Sequence, residues 1–178
     1  MIVLRNKEFS IPVINLYHVT KTENINGIKK FGLKVDKCRE RKENELMGIT
    51  QKAIYFVKNP NKLVKPVKNT KYSIIKLSIP KNIYDRMKKH NGDFVWDIIR
   101  DIPNEDDRIK YVFDILKKAY PANYEKNYGG KSLEELKKLT TPLEYLAPDN
   151  TVLILEDIPP KYISNIKNYD EFIKDNSL

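Results

Sequence analysis

His18 stands in the run Asn15-Leu16-Tyr17-His18-Val19-Thr20, directly before a segment of helical periodicity. An imidazole where a strand becomes a helix suits work on a small molecule. It projects from a rigid strand end while backbone N–H groups of the first helical turn remain free for a ligand. The second group of chemical interest is Glu144, in Thr141-Pro142-Leu143-Glu144-Tyr145-Leu146-Ala147-Pro148-Asp149. A carboxylate beside a glycosidic bond that breaks through an oxocarbenium-like state gains strength as positive charge develops, so it acts mainly in the transition state. Each residue also has a structural role open to it, since a lone histidine beside a tyrosine commonly serves packing and a surface glutamate commonly serves solvation.

The elements that must position these residues follow from local patterns. Strands are expected at about 12–18, 53–57, 72–79, 143–147 and 151–155, with Tyr72 to Ile79 the clearest and closed by Pro80. Helices are expected at about 21–31, 81–90, 105–118, 132–139 and 160–168. In the first helix Thr20 and Glu23 form a capping box, Ile25, Ile28 and Phe31 recur at near-helical spacing, and Gly32 ends it by taking positive φ. In the helix after Asn104, Glu105, Asp106 and Asp107 sit at the positive end, Lys117 and Lys118 at the negative end, and Ile109, Val112, Phe113 and Leu116 make an apolar stripe. No repeat or linker divides the chain. The expectation is one α+β domain over 1–178 with antiparallel or mixed sheets and a helical insert at about 81–140. The insert carries Phe94, Trp96, Tyr111, Tyr120, Tyr124 and Tyr128, which serve either helical packing or the stacking of nucleobases.

Three segments resemble the ADP-ribosyltransferase superfamily, in the His-Tyr-Glu branch of the poly(ADP-ribose) polymerases and diphtheria toxin. His18 and Thr20 match the histidine and hydroxyl of the first NAD-binding motif, and Gly32-Leu33 matches its end. Val19 stands where the family has glycine, a position that clamps the nicotinamide carboxamide through backbone N–H and C=O. Ala53-Ile54-Tyr55-Phe56-Val57, ended by Asn59-Pro60, is similar to the strand whose tyrosine packs on nicotinamide. The family's further aromatic is missing from Asn61 to Pro66, so the stacking sandwich is either one-sided or completed by Tyr72 from the next strand. The segment around Glu144 resembles the Glu-Tyr-hydrophobic strand that completes the triad. Glu156, in Leu155-Glu156-Asp157-Ile158-Pro159-Pro160, is the rival carboxylate, because some branches place the glutamate on a strand followed by Val-Pro-Pro or Ile-Pro-Pro. Counting back from Pro159 to the usual position of those branches lands on Thr151 or nearby, which favours Glu144.

The resemblance implies a split β-sheet core with surrounding helices, and NAD+ as co-substrate for mono-ADP-ribosyl transfer to a macromolecule. Tyr17, His18, Val19, Thr20 and Tyr55 would hold NAD+, and Glu144, His18 and Tyr55 would carry catalysis. Two alternatives stay open: a noncatalytic module that binds NAD, ADP-ribose or nucleic acid, and an RNA 2′-phosphotransferase-like enzyme, which needs an arginine-rich constellation around its histidine.

Composition bounds the setting. The 178 residues are 40% hydrophobic, enough for a substantial core, and no apolar run approaches the roughly 20 residues of a membrane span. One cysteine and two histidines make a structural metal improbable, and with no recognisable signal segment they fit a reducing cytoplasmic location. The net charge of +9 reflects either an AT-rich coding sequence or a polyanionic partner. Lys29, Lys30, Lys34, Lys37, Arg39, Arg41 and Lys42 precede Tyr55, and Lys52, Lys58, Lys62, Lys65, Lys68 and Lys71 surround and follow it. That clustering favours DNA or RNA over protein as acceptor, while Arg39-Glu40-Arg41-Lys42-Glu43 is mixed in sign. A toxin or phage-defence role, with an antitoxin or regulatory partner, fits a small stand-alone transferase.

Overall fold

Strands β1 (Val13–Lys21) and β3 (Tyr72–Pro80) form the spine of the fold, paired antiparallel from Val13 opposite Pro80 to Lys21 opposite Tyr72. The computed structural model describes residues 11–38, 41–63, 70–139 and 142–176. Thr141, and Arg39, Lys65 and Lys68 of the basic cluster, lie outside the described residues. Strand β2 (Ile54–Val57) meets β1 through one registered pair, Tyr17 opposite Val57. On its other side β2 pairs along its length with β5 (Thr151–Ile154), and β5 carries the short β4 (Lys89–Asn91). Strand β6 (Ile163–Asn168) covers the outer side of β3. The sheet order is β4-β5-β2-β1-β3-β6, with every neighbouring pair antiparallel. The fold is therefore mixed α+β with a six-stranded antiparallel sheet.

Strand alternation sorts the core into two faces. Leu16, Ile54, Phe56, Ile75, Leu77, Ile79, Val152 and Ile154 are fully buried on one face. Ile25 and Ile28 of α1 (Ile25–Phe31), with Leu33, Met87 and Ile158, pack on them. The other face presents Tyr17, Val19 and Ile74 to Tyr169 and Phe172 of the terminal helix. Farther along that face, Ala53, Tyr55 and Leu153 meet Phe94.

Helices α2 (Lys42–Leu46), α3 (Lys81–Tyr84), α4 (Phe94–Ile99), α5 (Glu105–Ala119), α6 (Pro121–Tyr128), α7 (Leu133–Leu139) and α8 (Pro142–Leu146) precede β5, and α9 (Tyr169–Asn176) closes the described chain. Helix α5 starts as its sequence dictates: the Asn104 side chain accepts hydrogen bonds from the backbone of Asp106 and Asp107. Its buried Val112 packs with Val95, Ile99 and Leu146, while Ile109 and Phe113 pack with Leu136. The rings of Phe113, Tyr124 and Tyr128 lie 5.2 to 6.4 Å apart, so these aromatics of the 81–140 region hold helix to helix. No helix among the described residues is long and apolar enough to cross a membrane.

Three expected elements differ. The strand expected at 143–147 is helix α8, because Pro142 opens a helical turn and Leu143 and Leu146 share a face that packs on the helical layer. The helix expected at 160–168 is a single 3-10 turn followed by β6, whose Ile163 and Ile166 pack on the core and whose backbone satisfies the free edge of β3. The helix expected at 81–90 ends at Tyr84, and Lys89–Asn91 pair with β5 instead. The 81–140 region thus contributes a sheet strand as well as helices. Thr20 does not cap α1. It remains in β1, and its hydroxyl accepts a hydrogen bond from the Asn24 amide at 3.3 Å.

Candidate functional site

Beyond the Tyr17–Val57 pair, β1 and β2 part company, and a cleft of about 1260 Å³ opens across their diverging ends. Its walls include Tyr17, His18, Val19 and Thr20 of β1, Tyr55 of β2, Tyr72 of β3, Thr151 of β5 and the end of α1 through Gly32 and Leu33. That volume exceeds the roughly 300–1,000 Å³ usual for small-molecule sites.

His18 bridges the gap between the strands. Its Nδ1 lies 2.9 Å from the Tyr55 carbonyl oxygen, which can only accept, so Nδ1–H donates and Nε2 is left as the acceptor of the neutral ring. Burial is the main reason that its pKa falls below 6.5. The bond to Tyr55 opposes the shift and the Arg41 guanidinium reinforces it. A histidine with a lowered native pKa binds fewer protons folded than unfolded, so its stabilising contribution is complete above pH 6.5 and is lost as pH falls from 6.5 through the native pKa. We expect unfolding free energies measured between pH 7.5 and 5 to fall more steeply for the wild type than for His18→Gln. Equal slopes would show that His18 is not held neutral.

Tyr55 is held from two sides. The Asn44 amide donates to its hydroxyl at 2.7 Å, and the Arg41 guanidinium carbon lies 3.4 Å from its ring centroid, a cation–π stack. Burial pushes the phenol up to about 12, with Arg41 and Asn44 opposing, so Tyr55 offers a flat face and a protonated hydroxyl. Arg41 Nη1 donates to Asp93 Oδ2 at 3.0 Å, and the Tyr145 hydroxyl lies close to the same guanidinium. Burial would lower the guanidinium pKa, but Asp93, Tyr55, Tyr145 and Glu43 together raise it above its ordinary value. Beside Arg41, Glu43 accepts a hydrogen bond from the Tyr120 hydroxyl at 2.6 Å.

Of the residues expected from sequence, Tyr17, His18, Val19, Thr20 and Tyr55 line one cleft, and Tyr72 joins them. Glu144 does not line it. It projects from α8, its side chain 56% exposed, and pairs with Lys62 Nζ at 2.5 Å. Glu156 is also absent from the lining, and its neighbour Asp157 is engaged by Lys34 Nζ and the Val35 N–H, each at 2.9 Å. Thr151 lines the cleft and donates its hydroxyl to the Tyr145 carbonyl oxygen. Arg41 and Glu43 were legible only as part of a charged run of mixed sign. A basic residue and an acidic residue two apart, just ahead of a strand, carry no local mark of convergence.

No protein-family model matches the chain, and no curated protein matches it significantly.

Proposed function

We propose that the chain is an NAD+-dependent mono-ADP-ribosyltransferase acting on a macromolecular acceptor. The observation that carries this reading is the His18–Tyr55 contact, which joins residues 37 apart at the parting of two strands and on the wall of one cleft. The single-pair junction of β1 and β2 supports it further, because a split sheet needs such a division. In this reading His18 and Thr20 hold the adenosine-side ribose, the Val19 backbone clamps the carboxamide, and Tyr55 packs on the nicotinamide ring. Arg41 supports the last role indirectly: the ring face that holds a planar guanidinium is suited to another planar cation, the pyridinium of NAD+. The two cannot share it, so this reading requires nicotinamide to take the face that the guanidinium covers.

The reaction breaks the ribosyl C1′–N bond, and the electron pair goes to the ring nitrogen, which releases neutral nicotinamide. The acceptor's nucleophilic atom bonds to C1′ and its proton passes to solvent. Lys21, Lys34 and Lys37 on the cleft wall fit the phosphates of NAD+ and a nucleic-acid acceptor, although each has an acidic neighbour within 4 Å. A cytoplasmic toxin or defence role is part of the same proposal.

A noncatalytic NAD- or ADP-ribose-binding module is the second reading, favoured by Arg41 on the Tyr55 face and by Glu144 outside the cleft. Nicotinamide release from NAD+, followed by mass spectrometry with mixed protein, DNA and RNA acceptors, separates the two. The expected result is release by the wild type and a loss of about 10²-fold in His18→Ala, the cost of mispositioned substrate. Binding of NAD+ without release under any acceptor would establish the module.

A further inference from the structure

The carboxylates that line the cleft, among the described residues, are Glu23, Asp36, Glu43 and Asp157. Glu23 and Asp36 are largely exposed and lie beside Lys21 and Lys37. Asp157 is committed to Lys34 and to the backbone of Val35. Glu43 is the least exposed of the four. Its side chain is 12% exposed, and it belongs to the cluster that surrounds Tyr55, where it faces Arg41.

Three contacts from separate parts of the chain place it. Asn44, the next residue, ties α2 to the Tyr55 hydroxyl at 2.7 Å. Arg41, two residues before, is anchored on Asp93 at 3.0 Å. Tyr120, at the end of α5, holds Glu43 Oε2 at 2.6 Å, while Oε1 faces Arg41 Nη1 at 3.8 Å. A carboxylate fixed in this way needs little reorganisation when positive charge appears near it, which is the condition for electrostatic catalysis.

We propose that Glu43, carried by α2, is the carboxylate that steadies the ribosyl cation in this cleft, in place of Glu144 or Glu156. This assignment rests on the transferase reading above. In the reaction Glu43 accepts a hydrogen bond from the ribose 2′-OH, and that bond strengthens as the C1′–N pair departs to nicotinamide. Water or the acceptor then adds to C1′, and its proton leaves to solvent. Tyr120 is a positioning residue that acts through Glu43.

The test measures kcat and KM for nicotinamide release in the wild type, Glu43→Gln, Glu144→Gln and Glu156→Gln, with thermal unfolding of each. Glutamine preserves shape, and its amide oxygen still accepts from Tyr120, while the negative charge and one acceptor oxygen are lost. The expected result is a fall of about 10²–10³-fold in kcat for Glu43→Gln with KM little changed. Glu144→Gln and Glu156→Gln should stay within about threefold of the wild type. If Glu43→Gln folds poorly, Tyr120→Phe takes its place. It leaves the carboxylate in the cleft and should lower kcat by about tenfold at constant KM, the lower end of the cost of losing a hydrogen bond to a charged group. An active wild type whose kcat survives Glu43→Gln, or falls instead with Glu144→Gln or Glu156→Gln, overturns the assignment while leaving the transferase reading intact. A wild type that releases no nicotinamide overturns both.

Discussion

Arg41→Ala should destabilise the protein by about 3–5 kcal/mol at neutral pH, the usual consequence of removing one partner of a buried ion pair. Asp93 is the reason. Its side chain is 1% exposed, with Oδ2 held by Arg41 at 3.0 Å and Oδ1 accepting the Val95 N–H at 3.1 Å as the cap of α4. Burial already lifts its pKa above 3.8, against the opposing pull of Arg41 and Val95. A carboxyl with a raised native pKa holds more protons folded than unfolded in the window above 3.8, so its contribution to stability falls as pH rises through that window. Removing Arg41 extends the window upward. The deficit of the variant should therefore be largest near pH 7.5 and should shrink as pH falls toward 4.5. Urea unfolding at the two pH values measures this directly, and a loss below about 1 kcal/mol that ignores pH would show that Asp93 is satisfied without its partner. Arg41→Lys should recover only part of the loss, since an ammonium cannot lie flat on Tyr55 while one of its N–H groups reaches Asp93.

Gly32→Ala should cost about 3 kcal/mol or more, because two penalties coincide at one residue. Gly32 has φ 77° and ψ −170°, a region that only glycine enters freely. A Cβ there would also lie 2.0 Å from the Ile158 carbonyl oxygen and 3.0 Å from its carbon. Those are backbone atoms, and they cannot rotate away. They belong to a two-way bridge in which the Leu33 N–H donates to Ile158 O at 2.9 Å and the Ile158 N–H to Leu33 O at 2.8 Å. The bridge fixes the end of α1 against the segment that follows β5, so its loss should also loosen the cleft wall at Leu33. Gly27→Ala supplies the contrast. A Cβ at that helical position meets nothing within 4 Å, and stability should rise by about 0.5–1 kcal/mol. Thermal unfolding of the two variants side by side would refute the account if Gly32→Ala were the milder change.

The two substitutions probe different kinds of sequence information. Gly32 was legible as a terminator because helix ends have local signatures, although its close approach to Ile158 was not. Strand β3 and helix α5 were legible because their periodicities, two and about three and a half residues, need no knowledge of the rest of the chain. Strands β4 and β6 were missed for the opposite reason. Three residues of β4 and the Ser- and Asn-bearing β6 have weak strand character of their own, and they are strands because β5 and β3 would otherwise present unpaired edges. The apolar residues of α8 suit either element until the helical layer beneath them is known.

By itself, the sequence determined an α+β chain, the strands that carry His18 and Tyr55 and the glycine that stops α1, since each depends on residues within one turn or one strand of itself. It placed His18 at a strand end, whereas β1 runs on to Lys21 because β3 pairs with it that far. Tertiary structure alone decided that Arg41 meets Asp93 across 52 residues, that Tyr120 meets Glu43 across 77, and that Glu144 falls outside the cleft. Those contacts arise where β1 and β2 diverge and where the helical layer folds back on the sheet. Long-range packing sets both, and local spacing carries no trace of it.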